Sequence, residues 1–519
     1  MESASFGTRA DPDSAAAHDP QGAAPGEKGL KAGALGYLSN LVISTASVAP
    51  AYSLAATLGF IVAVTGMGAH APAVMIVSFI PMLLIAAGYY WLNRADPDCG
   101  TSFTWVTRAM GPRLGWLTGW AIVVADVVVM AALAYIAGKY TYLLFGLDGA
   151  ANNLLDVSIA AAVWIAVMTW ICYVGIELSA RTQYVLLTAE VIILAIFCVV
   201  ALAHVYIGKQ GTPIEPYWFS PFNLPGGVSA LVDGVLLGVF IYWGWDSGVC
   251  VNEESRDSST GPGRAAVMST LLLLLIYVAV SASAQSYAGT IFLKHHGDDV
   301  LSALGNNVFG SPWDKALIIA VLTSASASTQ TTILPTARTT LSMARFNAIP
   351  KAFGRISPRY LTPDVSTIAM GAISLVWTLF IINASQNVLG DSISALGFQI
   401  AFYYGLTGFA CAIFYRRELT RSARNFFMAG VVPFVGGLML TGIFIKAFID
   451  YNKVENTYAG KFLGFGVPVA IGVGMLVVGV LVMFIANVAY PQFFKRKAEV
   501  AERGILEGEV VGEASVIAD

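Results

Sequence analysis

The stretch GVFIYWGWDSGVCVNEESRD, Gly238–Asp257, decides how this chain is read. It continues an apolar run and has the character of the inner half of a membrane helix. Yet it places Asp246 between Trp245 and Ser247, with Gly244 and Gly248 on either side. A charge at bilayer depth costs on the order of 3 kcal/mol or more. Glycine weakens a helix interior by about 1 kcal/mol. Together they predict a helix that breaks near Asp246, exposing backbone that can bind a small polar solute. Asp246 then acts as a partner for that solute or bonds the exposed backbone N–H groups.

The rest of the chain agrees with a membrane setting. Its 519 residues are 56% hydrophobic and 12% charged, with a mean hydropathy of +0.69. Soluble domains are not normally so apolar. Windows such as VLLTAEVIILAIFCVVALA (Val185–Ala203) and VPVAIGVGMLVVGVLVMFIAN (Val467–Asn487) have the roughly 20 residues a helix needs to cross a bilayer. A membrane β-barrel would show short alternating segments instead. The fold class is therefore all-α and polytopic. The net charge of −3 says little about partners. Cys99, Cys172, Cys198, Cys250 and Cys411 are scattered. No spacing suggests zinc or a disulfide framework, and small buried packing roles fit them.

About twelve spans are expected, near 35–64, 70–92, 115–138, 155–174, 183–206, 230–254, 265–288, 315–344, 364–383, 392–415, 426–449 and 465–488. Lys and Arg cluster in one set of loops, at Arg94, Arg108, Arg113, Arg181, Arg264, Arg338, Arg345 and Arg416 among others. By the positive-inside rule that side is cytoplasmic, and both termini lie there, which requires an even number of spans. The expected organisation has a disordered cytoplasmic tail over 1–30 and a membrane-embedded core over 31–415. The core divides into halves at 31–206 and 230–415. Helices 11 and 12 follow over 416–490, and a second cytoplasmic tail covers 491–519.

Five spans carry polar groups at middle depth: Ile43–Ser53, Asp126, Glu190, the Asp246 segment and Thr323–Thr332. Such residues face a bundle interior or a wet pathway. Pro50 interrupts span 1 as the glycines interrupt span 6. Those spans open the two five-span halves, and paired interruptions of this kind point to a transporter's binding site. Each residue also has a plainer reading. Glu190 is a proton carrier or a structural carboxyl. Asp246 is an amine ligand or a stabiliser of the break, and Asp126 belongs to the site or pairs with another helix. Ser324, Ser328 and Thr329 ligate Na⁺ or allow close packing. Trp243 and Trp245 gate the site or fill the core. Glu253 and Glu254 are expected to pair with nearby arginines.

Three segments carry a family resemblance: CGTSFTWVTRAMGPRLGWLTGW (Cys99–Trp120), YWGWDSG (Tyr242–Gly248) and TARTTLSMARFNAIPKAFGRISPRYLTP (Thr336–Pro363). Over roughly residues 33–490 the chain resembles the amino acid–polyamine–organocation superfamily. The resemblance implies an inverted five-plus-five repeat with broken helices 1 and 6, two extra C-terminal helices, and alternating access. It places a substrate site between spans 1, 3, 6, 8 and 10. Its residues would be Ser44, Thr45, Ser47, Val48, Ala49, Tyr52, Asp126, Tyr242, Trp243, Gly244, Trp245, Asp246 and Ser247. Trp243 matches an aromatic that closes over substrate. Two departures stand out. The family's glycine-rich break in span 1 is replaced by STASVAP (Ser44–Pro50), where Pro50 removes a donor for a substrate carboxylate. Glu190 stands where some members carry a coupling lysine.

The function expected is secondary active transport of an amino acid or related organic amine across the plasma membrane, coupled to protons through Glu190. The alternatives are an amino acid/polyamine antiporter, a Na⁺-coupled symporter and, last, a non-transporting sensor. The chain has no G-x-x-x-x-G-K-[ST] loop for ATP. It has no HExxH, no GxSxG and no histidine cluster in the spans, so an enzyme is not expected. Nor are a cofactor, a resident metal or a nucleic acid partner; the expected partners are the substrate, the coupling ion and lipid.

Overall fold

The computed structural model of the chain describes residues 28–297, 299–384, 388–453, 461–462 and 464–498. Helix accounts for 78% of it and strand for 1%. Eleven helices are long and apolar enough to cross a bilayer. Span 1 is Tyr37–Ala63, formed of span 1a (Tyr37–Ser47) and span 1b (Pro50–Ala63). Spans 2 to 5 are Ala71–Ala95, Pro112–Leu144, Leu154–Val174 and Ile176–Tyr206; a short helix, Ser102–Met110, leads into span 3. Spans 7 to 9 are Gly261–His295, Lys315–Arg345 and Asp364–Ala384. Spans 10 to 12 are Val388–Phe414, Ala423–Asp450 and Val467–Ala489. The remaining segment of the twelve expected, span 6, is broken. Span 6a (Gly227–Ile241) ends in a turn over 242–246, and span 6b (Ser247–Cys250) runs on into the 3₁₀ turn Asn252–Glu254. Neither piece is long enough to cross alone.

Local chemistry accounts for both breaks. Pro50 is the first residue of span 1b, where a missing N–H costs nothing. The turn into it puts Ala49 at φ 50°, a left-handed value rare for a residue with a side chain. In span 6, Gly244 takes φ 118°. A Cβ there would stand 2.9 Å from the Ser47 carbonyl oxygen of the other break. Gly248 has a different role from the one expected. It lies within span 6b rather than at the break, and a Cβ on it would meet Ser44 Oγ at 2.0 Å and the Asn40 carbonyl at 2.7 Å. It lets span 6b pack directly against span 1a.

Spans 3 and 8 form the centre of the bundle and pack closely on each other. Span 8 is rich in Ser and Thr because it is interior. Buried hydroxyls must find partners, and Thr329 and Thr332 donate to the carbonyls of Ala325 (2.8 Å) and Ser328 (2.7 Å) one turn back. Spans 4 and 5 lie outside, with Leu155, Val185 and Val199 exposed as lipid-facing residues would be. The loop after span 5 folds over the end opposite the arginine-rich one. There His70 Nδ1 lies 3.0 Å from the Ser220 carbonyl, and the Gly226 N–H donates to Gly66.

Residues 1–27 and 499–519 of the two expected tails lie outside the described residues. The last part of the N-terminal tail is not solvated. Lys28 and Leu30 are buried, Leu30 against Cys99 and Leu341. Just beyond, Leu35 lies alongside the end of span 6, accepting from Arg256 N (2.9 Å) and donating to the Glu254 carbonyl (3.0 Å).

Candidate functional site

The two breaks meet. Ser47 Oγ and Ser247 Oγ are 2.7 Å apart, and Ser328 Oγ of span 8 donates to the Ser47 carbonyl at 2.8 Å. Between them is a cavity of about 20 Å³, room for roughly one water. It is lined from span 1 by Ser47, Val48, Ala49, Tyr52 and Ser53, and from span 6 by Phe240, Trp243, Gly244, Asp246 and Ser247. Asp126 and apolar residues of span 3, Ser328, Thr332 and Pro335 of span 8, and Tyr403 of span 10 complete it.

Four expected site residues do not reach this cavity. Ser44 packs at Gly248, and Thr45 donates to the Leu41 carbonyl within span 1a. Tyr242 points the other way, its hydroxyl donating to the Met75 carbonyl at 3.0 Å. Trp245 is fully buried, stacked on Tyr404 with ring centres 5.1 Å apart. The cause is helical: at a break only part of each turn can face inward. Conversely, no span 10 residue was singled out from the sequence. Tyr403 and Tyr404 both donate to Asp246, to Oδ2 at 3.2 Å and Oδ1 at 2.8 Å. Trp243 Nε1 in turn donates to the Tyr403 hydroxyl. Asp246 is thus held by two phenols of span 10. Two adjacent tyrosines inside an apolar span were the available signal.

Asp126 accepts from Thr336 of span 8 through one oxygen, and the other accepts no hydrogen bond within the described protein. Glu190 of span 5 is fully buried. Its Oε1 accepts from the Ala51 N–H at 2.6 Å and from Ser324 Oγ at 2.8 Å, and its Oε2 has no partner among the described residues. The carboxylate therefore caps span 1b, where the helix dipole is positive. Ser324 also accepts from the Tyr52 N–H at 3.2 Å. Ser328 and Thr329 direct their hydroxyl protons at backbone carbonyls.

Glu253 and Glu254 sit at the arginine-rich end. Glu254 and Arg338 form the expected pair, bidentate at 2.7 and 2.9 Å with both groups buried. Glu253 pairs instead with a lysine. Lys28 Nζ lies 2.7 Å from Glu253 Oε1, 2.7 Å from Asp98 Oδ2 and 3.6 Å from Cys99 Sγ. Asp98, Cys99 and Glu253 come together closely enough to hold a metal, and the Lys28 ammonium stands among them.

Two broken helices facing each other across a small polar cavity, inside a bundle of apolar spans, define an integral membrane protein of the permease class. The chain belongs to the amino acid permease family, whose model matches residues 35–459. It is 20% identical to the low-affinity putrescine importer PlaP of Escherichia coli, over 73% of this chain and 81% of the relative. It is 22% identical to the branched-chain amino acid permease BcaP of Bacillus subtilis, over 58% and 65% of the two chains. Cationic amino acid transporter 3 of Arabidopsis thaliana is 24% identical, over 59% of this chain and 51% of its own.

Proposed function

We propose that the chain is a secondary active transporter that moves an amino acid or related organic amine by alternating access, coupled to protons through Glu190. It would act in the plasma membrane with its arginine-rich end and both termini in the cytoplasm. The observation that carries the reading is Glu190. One carboxyl joins span 5 to the first free amide of span 1b and to span 8, and one of its oxygens is unpartnered. A proton arriving there weakens its hold on the Ala51 amide, so protonation and movement of the broken helix are linked. The relatives, a putrescine importer and two amino acid transporters, support the substrate class. Asp126 and Asp246 line the cavity with no Lys, Arg or His beside them, which favours a cationic solute.

The test is uptake of radiolabelled amino acids and amines into proteoliposomes, with and without an inward proton gradient and with Na⁺. Glu190→Gln is expected to remove gradient-driven uptake while leaving substrate exchange. Gradient-driven uptake that survives in Glu190→Gln would exclude Glu190 as the coupling group.

A further inference from the structure

We infer that the transported solute is an amine without a carboxylate, a diamine or similar cation rather than an amino acid. The inference rests on reading the cavity as the transport site. A carboxylate entering a site of low dielectric needs a cation, a helix N-terminus or several free donors. The cavity supplies no cation and no open helix N-terminus, and its free donors among the described residues are few. No basic side chain lines it, and Arg338, a turn beyond Pro335 on span 8, is bidentate to Glu254.

The N-terminus of span 1b is the natural anion site, and it is filled from within. Pro50 has no N–H. The Ala51 amide donates to Glu190, the Tyr52 amide to Ser324 and the Ser53 amide to the Ala49 carbonyl. Glu190 thus occupies the place a substrate carboxylate would take. The hydroxyls are engaged as well. Ser47 and Ser247 bond each other, which spends one of their two protons, Ser328 donates to the Ser47 carbonyl, and Tyr403 donates to Asp246. Among the described residues, the Tyr52 hydroxyl is the one lining the cavity that has no partner. The break in span 6 carries its own carboxylate, Asp246, two residues beyond Gly244.

Acceptors, by contrast, are in surplus. Two carboxylates from different spans line one cavity, and an oxygen of Asp126 accepts no hydrogen bond among the described residues. Trp243 and Tyr403 add aromatic faces that attract a cation. Two ammonium groups on one short chain complement this set. The present cavity admits about one water, so the solute enters when the broken helices separate.

The experiment uses matched pairs that differ by one carboxylate: putrescine with ornithine, cadaverine with lysine, and agmatine with arginine. Binding to the purified full-length protein is measured by competition, alongside uptake into proteoliposomes. The amine of each pair is expected to bind at least about tenfold more tightly, since a site rejects a group whose polar needs it cannot meet. An amino acid that equals or exceeds its amine overturns the inference and leaves the transport reading standing. Absence of binding and uptake for every amine and amino acid overturns both. In Glu190→Ala, which vacates the Ala51 amide, the preference for the amine is expected to narrow by about threefold or more. If that variant does not fold, Ser324→Ala frees the Tyr52 amide and is expected to narrow it in the same direction. An unchanged preference in a folded variant overturns the part assigned to that internal cap.

Discussion

Gly244 holds its φ of 118° against the Ser47 carbonyl, 2.9 Å from where a Cβ would stand. Because that contact is with backbone, no side-chain rotation relieves it. Gly244→Ala is expected to destabilise the fold by about 1–3 kcal/mol and to remove uptake. Thermal unfolding in detergent checks the first and proteoliposome flux the second; a variant as stable as the parent would mean that the turn does not need glycine. This residue was legible in the sequence because its signal is local: a glycine beside an aspartate in an apolar run has few uses other than a break. Tyr403 and Tyr404 were not legible in the same way. An aromatic in an apolar span gives no local sign of which face it presents, and only the packing of span 10 on span 6 aims two phenols at Asp246. Ser44 and Thr45 do not line the cavity, for the converse reason. They share a stretch with Ser47, but the turn of span 1a carries them away from the cavity.

Between elements, the pair with most at stake is Arg338 of span 8 with Glu254 at the end of span 6, both almost wholly buried. Removing one partner leaves an uncompensated charge, at a cost of about 3–5 kcal/mol, whereas replacing both with apolar groups is often close to neutral. Arg338→Met and Glu254→Leu are therefore each expected to lower the folded yield and unfolding temperature sharply. The double variant should recover most of the loss. A double variant no more stable than the singles would show that the pair is not coupled. The pairing itself was readable, since acidic residues at the end of span 6 and basic ones at the end of span 8 fall at the same depth. Its partner assignment was only half readable. Glu253 reaches a lysine from a segment whose composition, small and polar up to that point, gives no reason to expect burial.

At the scale of the molecule, that lysine joins regions that must part if the arginine-rich end opens. Lys28 comes from ahead of span 1, Asp98 from the link between spans 2 and 3, and Glu253 from the end of span 6. Arg345 of span 8 adds a hydrogen bond to the Lys28 carbonyl at 3.0 Å. Burial works to raise the Asp98 carboxyl. The Lys28 ammonium, with hydrogen bonds from Lys28, Gly100 and Ser342, outweighs it and holds the group down at about 2, below its ordinary 3.8. Burial likewise works against the charge of Lys28, but Asp98, Cys99 and Glu253 outweigh it and raise the ammonium well above 10.5. The signs then run in opposite directions from a common plateau. The depressed Asp98 contributes stability above its unfolded value and loses it as pH falls toward about 2. The raised Lys28 contributes fully below 10.5 and loses its share only as pH rises through its elevated value. Across roughly pH 6 to 8 Asp98 and Lys28 of this latch both stay charged. Any pH dependence of transport in that window must therefore arise elsewhere, with Glu190 the proposed source. Lys28→Met is expected to expose Cys99, now fully buried beside the ammonium, to a membrane-permeant maleimide. Peptide mass spectrometry would read its labelling several-fold above the parent. Uptake by Lys28→Met, scaled to its own maximum, should follow the parent's pH curve over that range, and Lys28→Arg should restore protection of Cys99. If Lys28→Met instead flattens the pH curve, the latch and not Glu190 senses the proton; if Cys99 stays protected, the basic end is held shut by Arg338 and Glu254 alone.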